Sequence, residues 1–153
     1  MNNLQNIQFI HYGSNDFNIN KFYNIKNLFR YKPSGWLWWS PLNSKFWWKE
    51  FCIKNNFNTA TLDNCFNFKI QETSNIYIID NLDDIQYLKN NFLLTNEFDL
   101  ELLDYENLAR EYDWLFFSYN ANKLVKNRKY IDMFNFYDCE SILIFNKHII
   151  NVI

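Results

Sequence analysis

The sequence predicts one α+β domain. Short apolar, β-branched or aromatic runs such as NIYIID (75–80), WLFFSY (114–119) and ESILIF (140–145) read as strands. Helical stretches of uneven length separate them, without strict βαβ alternation. The 153 residues, 48% hydrophobic and 21% charged, suit a single core, and no linker, repeat or low-complexity tail divides 1–153.

The elements follow in order. IQFIHYG (7–13) is a first strand that ends at Gly13, and a short helix is expected near Ile19–Ile25. GWLWWS (35–40) is a short strand in which Trp36, Trp38 and Ser40 face one way and Leu37 and Trp39 the other. Ser40-Pro41 then reads as a helix start, Ser as N-cap and Pro at the first helical position. That helix runs to Asn55 and groups Trp47, Trp48, Phe51 and Cys52 on one side. CFNFKI (65–70) and NIYIID are strands expected to pair through QETS. Asp80 or Asn81 caps a helix bearing Leu82, Ile85 and Leu88, with Asp83 and Asp84 in its first turn. A further helix is expected over Phe98–Tyr112, with Glu106 and Arg110 as an i,i+4 pair. WLFFSY is a strand, and ESILIF is a central one.

Composition narrows the partners. Net charge is -2 and no basic run exceeds two residues, so a nucleic acid held by its phosphates is not suggested. The excess of Asn, Phe and Tyr fits AT-rich codons; the six tryptophans do not. Cys52, Cys65 and Cys139 show no CxxC pair or metal-ligand spacing, which points to reduced, mostly buried thiols. The start MNNLQNIQFI has no basic n-region or apolar h-region, and no apolar run approaches the roughly 20 residues that span a bilayer. A soluble, cytoplasmic protein without a membrane partner is therefore expected.

Two stretches could carry chemistry. In HYGS (11–14), Gly13 permits either close approach to a ligand or a turn of positive φ, and His11 is either catalytic or a satisfied structural histidine. In DCESILIF, Glu140 opens an apolar strand, so its carboxylate lies at a solvated strand mouth or lines a cleft. The tryptophans of GWLWWS pack into the core or present an aromatic face to a flat ring.

Taken in order, HYGS, GWLWWSP followed by a helix, and ESILIF resemble the His-Tyr-Glu branch of the ADP-ribosyltransferase fold. The same pieces are similar to a group of small proteins from bacteria and their phages. The resemblance implies split mixed β-sheets with flanking helices. It also implies NAD as substrate, no metal, and transfer of ADP-ribose to an unknown macromolecule, expected to be a protein. His11 would bond the nicotinamide-side ribose, and the Gly13 backbone would hold the carboxamide. Trp38 would replace the stacking tyrosine, and Ser40 would sit near the ribose. Glu140 would hold the ribose 2′-hydroxyl and face the developing positive charge as nicotinamide leaves. The family writes His-Gly adjacently, whereas Tyr12 intervenes here, so either His11 or Tyr12 fills the first motif position. The same layout without catalysis implies a phage or mobile-element protein that inhibits a host defence protein.

Overall fold

The computed structural model describes residues 7–28, 33–35, 37–42, 44, 46–127, 132–134 and 137–153. Nine strands and four α-helices are named among them, in α+β order. Seven strands form one mixed sheet, ordered β4-β7-β8-β2-β1-β3-β9. They are β1 (Phe9–Tyr12), β2 (Leu37–Pro41), β3 (Cys65–Ile70), β4 (Ile76–Ile79), β7 (Trp114–Phe117), β8 (Ser141–Ile144) and β9 (Ile150–Val152). β5 (Leu93–Thr95) and β6 (Glu101–Leu103) form a separate antiparallel hairpin.

In place of the expected split mixed sheets there is one large mixed sheet with the hairpin apart from it, and that sheet is nearly divided at β2. Leu37, Trp38 and Trp39 pair with β8. Only Ser40 and Pro41 pair with β1, opposite Ile10 and Phe9. β1 continues on its other side along β3, from Phe9 to Tyr12. One strand thus belongs first to one half and then to the other.

Alternation along the strands feeds two cores. Leu115 and Phe117 of β7, with Ile79 and Leu143, face α2 (Leu82–Phe92), α3 (Tyr105–Glu111) and α4 (Tyr119–Asn127). Trp114 and Phe116 face the other way, with Phe9, Trp39, Phe66, Phe68 and Ile142. β7 and β1 stand three strand spacings apart, about 14 Å across a flat sheet. Yet the Phe9 and Trp114 rings approach to 5.9 Å. The sheet therefore curls, and large rings fill its concave face.

Several sequence expectations need correction. Ser40-Pro41 do not start a helix: both lie in β2, and α1 runs Trp48–Asn55 with Trp47 at its N-cap. CFNFKI and NIYIID do not pair. β3 lies between β1 and β9, while β4 pairs in parallel with β7 at the opposite edge. Burial decides this: β4 is laid down beside β7 so that its Ile79 enters the helix-covered core. The helix expected over Phe98–Tyr112 is shorter, because Asp99 takes φ 59 and Glu101–Leu103 pair as β6. Asp104 then caps α3 by accepting from Asn107 N at 3.0 Å. The short helix near Ile19 is a 3-10 turn over Ile19–Lys21.

Expectations for Gly13, the α2 cap, β8 and the cysteines hold. Gly13 follows β1 directly. Asn81 caps α2 through a capping box: its side chain accepts from Asp83 N and Asp84 N, and Asp84 accepts from Asn81 N. β8 is a fully buried interior strand. Cys52, Cys65 and Cys139 are free thiols, the first and last buried. No helix among the described residues is long and apolar enough to cross a membrane. The side faced by Trp36 lies outside the described residues.

Candidate functional site

The cleft opens where β1 and β2 part. Their pairing ends at Ile10↔Ser40, after which β2 turns to β8 and β1 keeps to β3. His11 spans the gap, its Nδ1 lying 3.0 Å from the Trp38 carbonyl oxygen. A carbonyl only accepts, so Nδ1 carries the proton. The imidazole packs against the Trp39 and Phe66 rings, at 4.8 and 5.5 Å. Burial holds its pKa below the usual 6.5, against the raising effect of the Trp38 hydrogen bond. The ring is therefore neutral at pH 7, and Nε2 offers a lone pair.

The resulting cavity is ≈ 520 Å³, within the range of small-molecule sites. β1 contributes Ile10, His11 and Tyr12, and β2 contributes Trp38, Trp39 and Ser40. Trp48 enters from α1, Phe57, Asn58 and Thr61 from the following segment, Asp138 and Cys139 from the approach to β8, and Ser141 from the start of β8. Trp48 stacks on Phe51 at 5.4 Å and 22°, with Phe57 edge-on at 5.9 Å. Trp38 meets Tyr137 edge-on at 4.8 Å and also packs on the helix-side core. It thus serves both cleft and core.

Ser40 links the cleft to its surroundings. Its hydroxyl accepts from Trp48 N, the first residue of α1, at 3.1 Å, and donates to the Glu140 carbonyl at 3.3 Å. It acts as a helix cap after all, for a helix that begins eight residues later. Tyr12 lies edge-on to Trp47, and burial pushes its hydroxyl up to about 12. Burial likewise raises the Cys139 thiol to about 11, against the pull of the Ser141 and Ser40 hydroxyls. Such a thiol is a poor nucleophile at neutral pH.

Four of the six expected site residues thus meet in one cleft: His11, Tyr12, Trp38 and Ser40. The other two sit apart. Gly13 has φ 104 and donates its N–H to the Asn64 carbonyl at 2.7 Å, as a turn residue does. The Glu140 side chain is not among those lining the cavity. Its Oε1 lies 3.3 Å from Tyr119 N at the start of α4, while Oε2 is buried without a hydrogen-bond partner among the described residues.

Trp48, Phe57, Asn58, Thr61, Asp138, Cys139 and Ser141 were not singled out by sequence as site residues. Cys139 and Ser141 flank Glu140 in sequence, but Cys139 and Glu140 lie in a bend before β8, so strand alternation did not mark them. Phe57 to Thr61 gave no signal, because their placement follows from the left-handed turns at Asn56 and Asn58. Among the described residues no cluster of His, Cys, Asp or Glu could hold a metal ion. No family model, curated protein or solved structure matches the chain.

Proposed function

We propose that this protein is a binding module of ADP-ribosyltransferase-like layout that does not transfer ADP-ribose. The placement of Glu140 carries the reading. A transferase of the kind the motifs resemble needs that carboxylate beside the departing nicotinamide. Here it approaches the N-terminus of α4, where the helix dipole and the Tyr119 N–H favour it. The Gly13 N–H is likewise committed to Asn64. The cleft keeps what binding needs: aromatic walls and a few fixed polar groups. Its partner is a macromolecule, expected to be a host defence protein that a phage or mobile-element protein would block. Fold-level likeness alone leaves that partner's identity to experiment.

A second reading is NAD-dependent mono-ADP-ribosylation of a protein. It is supported by His11, Trp38 and Ser40 sharing one cleft, with the Glu140 backbone carbonyl accepting from the Ser40 hydroxyl at its edge. Incubation with labelled NAD and host lysate separates the two. The binding reading expects no labelling by either wild type or Glu140→Ala, and capture of one stoichiometric partner by both. Labelling by wild type that Glu140→Ala abolishes would overturn it in favour of the transferase.

A further inference from the structure

The large sheet ends at β4 with an open ladder. Asn75 and Ile79 give their carbonyls to Trp114 N at 3.3 Å and Ser118 N at 3.0 Å. In a parallel pair alternate residues serve the neighbour, so Asn75, Tyr77 and Ile79 face β7. Ile76 and Ile78 therefore turn N–H and C=O outward, and no strand among the described residues takes them up. The strand has no proline, lysine or bulge to blunt it. Ile78 is 39% exposed on one face, and on the other Tyr87, stacked on Tyr77 at 5.5 Å, is 42% exposed. The opposite edge offers less: the Ile150 N–H of β9 is already spent on the Lys147 carbonyl.

Charge says what covers this edge. Residues 71–88 hold Glu72, Asp80, Asp83 and Asp84 and no lysine or arginine. Asp80 accepts from the neutral Ser118 and Asn120 side chains, and Asp84 from main-chain N–H groups. The next cation along the chain, Lys89, is held by Glu101 at 2.6 Å. A second copy laid edge to edge would set these carboxylates against their own like. We infer that β4 receives an extended, basic segment of a partner protein, added as a further strand of the sheet. Such a segment alternates apolar and basic residues. Its apolar side chains lie beside Ile76 and Ile78. Its arginines or lysines lie on the Tyr77–Tyr87 face, where Tyr77 already reaches the Asp84 carbonyl at the start of α2. The inference rests on the reading of a protein partner and adds a docking edge beyond the cleft.

The test uses the intact protein and a blocked decapeptide of alternating arginine and valine, followed by amide exchange. The Ile76 and Ile78 N–H groups, open in the free protein, should become protected. Tyr77 and Ile79, already bonded to β7, should change little. The matching glutamate-valine decapeptide should bind about tenfold more weakly. N-methylation of every arginine, or of every valine, keeps the charge, and the set that faces β4 should abolish binding. Ile78→Pro removes an outward N–H at an edge that tolerates proline, and should weaken arginine-valine binding about tenfold. If that variant does not fold, Ile78→Lys, which charges the edge, takes its place. No protection at Ile76 and Ile78, equal binding of the glutamate peptide, or indifference to both methylated sets would each overturn the inference. So would dimers of the protein alone that the Ile78 variant dissolves, since the edge would then belong to a second copy. Capture of a stoichiometric partner unaffected by the Ile78 variant would overturn it too, while leaving the binding reading intact.

Discussion

At Gly35 (φ 83) a β-carbon would stand 2.8 Å from the Asn24 carbonyl carbon and closer still to its oxygen. The loop crosses itself there, beside the Lys26↔Ser34 bridge. Gly13 (φ 104) meets nothing within 4 Å. Both substitutions to alanine pay for positive φ, but only one must also displace backbone. Gly13→Ala should cost about 1 kcal/mol and Gly35→Ala at least about 3, read by urea unfolding. His11 supplies a pH effect. Its folded pKa lies below the unfolded 6.5, so the unfolded chain binds the proton first as pH falls. Its contribution to stability is complete above 6.5 and declines as pH drops through that value toward the folded pKa. His11→Phe should flatten that part of the stability profile, with a pH-independent loss from the unpaired Trp38 carbonyl. These residues were legible in the sequence because each breaks a local rule: a glycine in a glycine-poor chain, a histidine among apolar neighbours. Their partners were not, since Asn24 and Trp38 meet them only through tertiary contact.

Among the elements, two helix starts invite comparison. α2 is capped locally by Asn81 with Asp84, which a four-residue window of sequence reveals. α1 is capped from β2 by Ser40, which no such window contains. Reading Ser40-Pro41 as a helix start therefore found the right hydroxyl and the wrong helix boundary. Asn81→Ala should cost about 1 kcal/mol. Ser40→Ala should cost about 1–2 kcal/mol, because a part-buried N–H of α1 also loses its acceptor. Amide exchange would tell them apart: Ser40→Ala should speed exchange at Trp48 and its neighbours and leave α2 unchanged. The hairpin expected between CFNFKI and NIYIID failed for a related reason. Four intervening residues permit pairing, but the parallel place beside β7 buries Ile79 completely. Chain proximity was outweighed by burial, which local pattern does not weigh.

For the molecule as a whole, the strands β1, β2, β3, β4, β7 and β8 were legible, the short β5, β6 and β9 were not, and strand order was not. Alternation and β-branching marked β1, β2, β3, β4, β7 and β8. The order joins strands distant in sequence, and β9 was too short and too far from its partner β3 to read. Stability should follow that order. β8 lies inside the sheet between β7 and β2 and is buried along its length, so its amides should exchange last. β4 and β9 form the edges and should exchange first; uniform exchange across the sheet would contradict this.

The partner change in β2 bears on how the protein is made. During synthesis, residues 37–41 emerge about a hundred residues before β8, whose Ile142, Leu143 and Ile144 they must meet. β1 and β3 can pair meanwhile, but the Leu37–Trp39 segment waits with an open ladder and two indoles on show. Nascent chains that end before Ser141 should accordingly recruit chaperones or aggregate, and those extended past Ile144 should not. The cleft that β2 creates in the finished protein begins as a vulnerability in the unfinished one.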